Sequence, residues 1–328
     1  MRRRFLIAAG AAAATSASPT VWSQASGSGF PNRPVRIVVP YPPGALTDII
    51  PRMVAERLRD TWGQPVVVEN RPGGSGRIAA DYVANSPADG YTILVGLPDQ
   101  LAIQPQLYKT ASRLDPARDF APVTIMLRQA FVLVVRDGLP VASVADYVKL
   151  ARTGSGVVKL SSWGEGSAGH VALELLKSMA GIDVLHVPYR GAQAAINAVA
   201  SGEVDSMITG HSTAGPFAKS GRIRILATTA ATRHPDRPDV PTIAEAGYPG
   251  YEVQSWYALV VPKATPREVI DIIRRDVVTA LQAPEIRERI RSYNAETVGN
   301  TPDEFARVLA SDTEKWSRVI RNANIRLD

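Results

Sequence analysis

The sequence predicts an α/β protein of two lobes, each a mainly parallel sheet flanked by helices. Three observations predict it. Short β-branched runs alternate with amphipathic helical runs, which is the order of parallel strands with helices on the sheet faces. The second part of the chain repeats this alternation. Two closing helices have little sheet of their own, so they must return to cover an earlier one. The length of 328 residues is a prior for about two domains. The expected division is residues 26–127 with 251–328 as lobe 1 and residues 128–250 as an inserted lobe 2. That arrangement crosses between lobes twice, and two crossings make a hinge suited to closure.

The elements follow in order. Residues 35–39 are a β-branched run, read as a buried strand. A turn at Pro42, Pro43 and Gly44 leads to a helix over 46–62, where Ile49, Ile50, Met53, Val54 and Leu58 recur at helical spacing. Strand 66–68, a proline–glycine loop over 70–76, helix 78–84 and strand 92–95 complete the first unit. The second unit reads as strand 132–135, helix 144–151, strand 158–161, a glycine turn, helix 167–180 and strand 183–187. A helix over 191–201 stops at Gly202, and strands 204–208 and 223–228 follow. Pro235, Pro238 and Pro241 mark a surface stretch. Strand 256–261 then precedes helices over 266–282 and 302–322.

Composition narrows the function classes. Apolar residues are 45% and charged residues 21% of the chain, enough to build a sizeable core. With no cysteine, disulfides, thiol nucleophiles and thiolate metal sites are excluded. Beyond the N-terminal segment, no uninterrupted apolar run reaches the ~18 residues of a membrane span. Residues 1–25 read as an export signal: basic Arg2, Arg3 and Arg4, a short alanine-rich apolar stretch, then Ser23-Gln24-Ala25 at the cut. Both a Sec and a twin-arginine signal fit this pattern, and either route ends in the periplasm. Losing those arginines lowers the formal charge from +6 to +3. That excess, without basic runs interleaved with aromatics, points away from nucleic acid.

Ligands of open α/β sheets bind outside the carboxyl ends of the strands, where helix N-termini offer free N–H groups to anions. Four strand–glycine–helix junctions qualify. The first runs Tyr41-Pro42-Pro43-Gly44-Ala45-Leu46-Thr47-Asp48. It is either a ligand loop, stiffened by proline and opened by Gly44, or a plain turn capped by Thr47 or Asp48. The second is Asn70-Arg71-Pro72-Gly73-Gly74-Ser75-Gly76. Its glycines formally satisfy a relaxed dinucleotide pattern, but Asn70-Arg71-Pro72 intervenes where a glycine should directly follow the strand. The third is Gly164-Glu165-Gly166-Ser167-Ala168-Gly169-His170. Gly166 and Ser167 suit a carboxylate at a helix start. As a nucleophile elbow the segment lacks glycine two before the serine, and His170 lies one turn along the same helix, so Ser167 reads as an N-cap. The fourth is Tyr189-Arg190-Gly191, where Arg190 either pairs with a carboxylate or is solvated. None of His170, His186, His211 and His234 has metal-ligand spacing with another. His211 follows a strand at its carboxyl end and is a candidate to face the cleft. Trp256, near the second crossing, serves either as core or as a ligand platform.

These loops, in this order, resemble the Bug-type receptors of the tripartite tricarboxylate transporter family. The segments that carry the resemblance are Pro34-Val35-Arg36 through Gly44, Gly63-Gln64-Pro65 through Gly73, and Pro87-Ala88-Asp89-Gly90-Tyr91-Thr92. Others are Asp119-Phe120-Ala121-Pro122-Val123, His186 through Gly191, Asp239 through Gly247, and Gly299-Asn300-Thr301-Pro302-Asp303-Glu304-Phe305. They cover nearly all of the chain after the export segment.

The resemblance implies a Venus-flytrap, type II-like periplasmic-binding-protein fold and a receptor rather than an enzyme, with no cofactor and no metal. The implied ligand is a small organic acid or amino acid. Backbone N–H groups around Tyr41, Pro42, Gly44, Ala45, Leu46 and Thr47 hold its carboxylate, partly through water. The Gly166-Ser167 helix start with His170, the turn Tyr189, Arg190, Gly191, and His211 close from the other lobe. The implied partner is a membrane permease of the tripartite tricarboxylate transporter type, and the receptor is a monomer. Three positions depart from the family pattern: Ala45 for a glycine, Leu97-Pro98-Asp99-Gln100 for small and hydroxyl residues, and Thr209-Gly210-His211 for an Asp or Asn. Asp99 either pairs with an amino or basic ligand group or caps the next turn. The alternatives are a serine-dependent hydrolase using Ser167 with His170 or His211, and a periplasmic ligand-sensing module.

Overall fold

The computed structural model describes residues 29–107, 114–322 and 325; the expected export segment lies outside them. The first lobe begins with β1 (Val35–Val39), α1 (Leu46–Trp62), β2 (Val66–Asn70), a tight turn over Gly74–Gly76, α2 (Arg77–Ala84) and β3 (Thr92–Gly96). β1 pairs in parallel with both β2 and β3. In β1 only Arg36 is exposed, as a strand covered by helices on both faces requires. A wide helical turn over Asp99–Ile103 runs into α3 (Gln104–Leu107), and α4 (Pro116–Asp119) leads into the long strand β4 (Phe120–Arg136).

The second lobe contains α5 (Val144–Ala151), β5 (Lys159–Ser162), α6 (Ala168–Ala180), β6 (Leu185–Pro188), α7 (Ala192–Ser201), β7 (Ser206–Gly210), α8 (His211–Lys219) and β8 (Ile223–Thr228). β5 pairs in parallel with β6 and β7. The chain returns through β9 (Gln254–Pro262), α9 (Arg267–Leu281), α10 (Pro284–Arg291), β10 (Ala295–Thr297) and α11 (Pro302–Asn322).

The lobes are joined by strands that pair antiparallel. β4 pairs with β9 from Phe120 to Ala130 and with β10 at Leu127–Gln129, all in the first sheet. From Phe131 onward the same strand pairs with β7 and β8 of the second sheet. β9 also pairs with β3. Each lobe is therefore a three-strand parallel centre flanked by antiparallel strands, of which β4 is shared by both.

Several elements differ from the sequence reading. The sequence signalled only 132–135 of β4, because Pro122, Arg128 and Gln129 interrupt its apolar pattern. α8 was hidden by Gly215 and Pro216, and α10 by a run of charged residues. α9 and α10 pack on the first lobe, where Val269, Ile270, Ile273, Val277, Ile286 and Ile290 join the core around Ile37, Val39 and Ile93. α11 reaches further than a cover for one lobe. Its Phe305 packs with Val38, Ala79 and Trp256, whereas Trp316 and Ile320 belong to the second lobe's core with Tyr147, Val171 and Leu176. Trp256 is core: it is 2% exposed and donates its indole N–H to Asp312 at 2.6 Å.

Candidate functional site

The carboxyl ends of the parallel strands from both lobes converge on one cavity of about 190 Å³, lined by residues 41–47 and by Leu97, Asp99, Phe131, Trp163, residues 190–193, Thr209, Gly210, Ser212, Thr213, Ser255 and Tyr257. It is somewhat larger than the ~150 Å³ that encloses a benzene ring. β1 delivers the loop that opens α1, β6 the start of α7, and β7 the start of α8. Three helix N-termini thus face one space, and each favours negative charge.

The α1 end is built for an acceptor from outside the protein. Its N-cap, Ala45, makes no side-chain cap. Among the described residues, the N–H groups of Ala45, Leu46 and Thr47 have no protein acceptor. Thr47 is 6% exposed, yet its Oγ1 has no hydrogen-bond partner. A hydroxyl buried without a partner is costly, and this one lies in the cavity wall.

The loop itself is held rigid from behind. The Asp48 carboxylate accepts from Gly44 N–H at 3.1 Å, Arg52 Nε at 2.9 Å and Asn70 Nδ2 at 2.9 Å. Asn70 Nδ2 also donates to the Tyr41 carbonyl at 2.9 Å, and Arg52 Nη2 donates to Asn70 Oδ1 at 2.7 Å. Burial alone would raise the Asp48 carboxyl, but these donors hold it below the usual range. Gly44 adopts φ +97°, with open space where a Cβ would stand. It is required by backbone conformation rather than by crowding from the protein.

The second glycine loop has a role unrelated to nucleotides. A Cβ on Gly76 (φ +93°) would lie 1.9 Å from Gln100 Nε2. The missing side chain lets Gln100 reach the Ser75 carbonyl at 2.9 Å. Ser75 in turn crosses to the other lobe and donates Oγ–H to the Glu165 carbonyl at 3.0 Å.

Asp99 is 1% exposed and does not wait for a ligand amine. Its Oδ1 accepts the Ala168 N–H at 3.1 Å, at the first turn of α6 in the opposite lobe. Its Oδ2 accepts the Trp163 indole N–H at 2.8 Å and the Tyr41 hydroxyl. Burial pushes the Asp99 carboxyl up, against the pull of those donors. Burial, with the nearby Asp99 charge, also keeps the Tyr41 phenol protonated. The α6 N-terminus, expected to hold a ligand carboxylate, instead holds the protein's own.

Of the expected residues, Tyr41, Pro42, Gly44, Ala45, Leu46, Thr47, Asp99, Arg190 and Gly191 line the cavity. Gly166, Ser167, His170, Tyr189 and His211 do not. Ser167 is fully buried, and its Oγ caps α6 by accepting His170 N–H at 3.3 Å. Gly166 N–H donates to His170 Nδ1 at 3.2 Å. Tyr189 turns its hydroxyl to Glu203 at 2.8 Å. His211 lines a separate hollow with Arg128, His234 and Arg237.

The hydrolase geometry is not assembled. The serine–histidine contact among these residues joins Ser162 to His186 at 2.7 Å, and Ser162 is fully buried. His186 stacks on His170 with centroids 3.9 Å apart. Burial lowers both rings, to about 3 for His186 and about 4 for His170. Both are neutral near pH 7.

Sequence reasoning missed the aromatic wall. Phe131 and Trp163 meet edge to face at 5.5 Å, and Tyr41 and Tyr257 complete the surface. Trp163 was legible in principle, since it directly follows β5 at its carboxyl end. Phe131 lies mid-strand, at the point where β4 changes sheets, and carries no local signal. Ser212 and Thr213 were lost with α8.

The family described as tripartite tricarboxylate transporter family receptor matches residues 50–325 of the chain. Protein BugT of Bordetella pertussis (strain Tohama I) is 32% identical over 304 residues, covering 91% of both chains. Among solved structures, R. palustris Rpa4515 with adipate is 38% identical, with TM-score 0.86, covering 90% of this chain and 99% of that one. MatC (Rpa3494) from Rhodopseudomonas palustris with bound malate is 28% identical, with TM-score 0.83, covering 89% and 100%.

Proposed function

The chain belongs to the tripartite tricarboxylate transporter receptor family, and from that premise we propose that it is a periplasmic receptor that closes its lobes on one small carboxylate and passes it to a membrane permease. The observation that carries the reading is the pair of opposed donor sets across the cavity. The free N–H groups of Ala45, Leu46 and Thr47, with the unpartnered Thr47 Oγ1, face the N-termini of α7 and α8. Donors from both lobes neutralise a ligand carboxylate only when the lobes are together, so binding and closure are one event. Arg190, exposed at the rim and without a hydrogen bond or ion pair among the described residues, adds the one cationic side chain of the wall. The adipate and malate of the two solved relatives are acids of the class such donors select.

In this reading residues 1–25 direct export by the Sec or twin-arginine route. The lobes are 26–127 with 251–328, and 128–250. The hinge lies where β4 and β9 cross, and the receptor acts as a monomer. Ser167 and His170 brace α6 and perform no reaction. The test is a thermal-shift screen of mono-, di- and tricarboxylates, amino acids and aromatic acids. The midpoint should rise with ligand as RT ln(1 + [L]/Kd) prescribes. A flat response to every acid, from a protein folded by circular dichroism, would sink the reading.

A further inference from the structure

The receptor reading says that an acid binds; the structure also bears on how many carboxylates that acid carries. We propose that Asp99 is a built-in second carboxylate, which fills the anion seat at the start of α6 and restricts the cavity to ligands with one carboxylate on an uncharged body. The proposal rests on the receptor reading above. A helix N-terminus is a ready anion seat, and that of α6 lies buried behind the cavity wall, with Ala168 1% exposed. Asp99 reaches it from the first lobe and accepts Ala168 N–H at 3.1 Å, Trp163 Nε1–H at 2.8 Å and the Tyr41 hydroxyl.

Two consequences follow. First, the three donors around Asp99 are already used. A second ligand carboxylate placed against Asp99 would find none of them free, and would lie beside a buried carboxyl group, an arrangement that low dielectric makes costly when both are ionised. Second, the surfaces around Asp99 are apolar bodies: Leu97, Phe131, Trp163 and Tyr257. Among the described lining residues Asp99 and Arg190 are the charged side chains. The free donors lie at the starts of α1, α7 and α8, with Arg190 beside them. A cavity of about 190 Å³ accommodates a short alkyl chain or one ring.

Isothermal titration of the wild-type protein with two matched pairs, hexanoate against adipate and benzoate against terephthalate, reads the proposal directly. The monoacid of each pair should bind at least tenfold more tightly. Asp99→Ala frees the Tyr41, Trp163 and Ala168 donors, so it should bind the diacid of a pair at least tenfold more tightly than wild type and reverse the preference. Equal or tighter diacid binding by wild type overturns the proposal and leaves the receptor reading standing, as does a folded Asp99→Ala variant with an unchanged ratio. Should Asp99→Ala fail to fold, the wild-type ratio decides alone. A wild-type protein silent to all four acids and to the wider screen sinks the receptor reading itself.

Discussion

Thr47 is the residue where sequence, burial and function meet most closely. Its hydroxyl is buried and unpartnered, one position inside a helix start whose amides are also free. Thr47→Val keeps the shape and removes the hydroxyl, so it should weaken acid binding about fivefold, the scale of one hydrogen bond of ~1 kcal/mol. The melting temperature without ligand should hold or rise, because the unpaired group is gone; a large drop would mean that Thr47 is structural. Gly44 predicts differently. At φ +97° a side chain has room but not the backbone conformation, so Gly44→Ala should cost about 1–3 kcal/mol of stability, measured by urea unfolding. Ser167 changes meaning between sequence and structure. Expected to touch the ligand, it caps α6 instead. Ser167→Ala should therefore lower stability by about 1 kcal/mol with little direct effect on acid binding.

At the scale of elements, α6 and β6 share a pH-sensitive seam. His170 on α6 and His186 on β6 stack neutral, with pKa values depressed to about 4 and about 3 by burial. The groups facing them are Lys177, which disfavours protonation of both, Glu174, 4.0 Å from His170 Nε2, and the Ser162 hydroxyl. An unfolded histidine titrates near 6.5, so the unfolded chain binds more protons than the folded one below that pH. The stabilisation is complete above about pH 6.5 and is lost as pH falls toward 4, by roughly 2 kcal/mol per ring at pH 5. Thermal midpoints between pH 7 and 4.5 should fall steeply for wild type and less steeply for His186→Asn. A flat wild-type profile would contradict the buried neutral pair. Most helices and strands were legible because their local pattern matches their final environment: 46–62, 144–151, 223–228 and 302–322 agree to the residue. Among those missed, β4's first half, α8 and α10 are held by partners far along the chain, and their own residues send mixed signals; the short α3, α4 and β10 were missed as well.

At the scale of the whole molecule, two crossing strands and one long helix join the lobes. β4 leaves the first sheet and enters the second after Ala130, and the chain returns to the first sheet where β9 begins at Gln254. α11 anchors Phe305 in one core and Trp316 in the other. Closure must therefore bend β4 and β9 while α11 carries the motion at its ends. Trp316 is 1% exposed, so Trp316→Ala should cost about 3–5 kcal/mol and free the end of α11, seen as faster hydrogen exchange in residues 310–322. Exchange unchanged in that stretch would mean that α11 does not tie the lobes together. The bonds Ser75–Glu165, Asp99–Trp163 and Asp99–Ala168 tie the two lobes across the cavity.

The sequence by itself determined the two-lobed α/β architecture, the order of most elements, and the helix starts at 41–47 and 190–191 that border the cavity. These follow from hydrophobic period, glycine and proline placement and capping, which are local and survive in one dimension. Only the tertiary structure decided that Asp99, not a ligand, meets the start of α6, that Phe131 and Trp163 form an aromatic wall, and that α11 belongs to both lobes. Each of those facts joins residues more than thirty positions apart or on opposite lobes. Whether a carboxylate receives a donor from across a cleft depends on the docking of two sheets, which no run of neighbouring residues records.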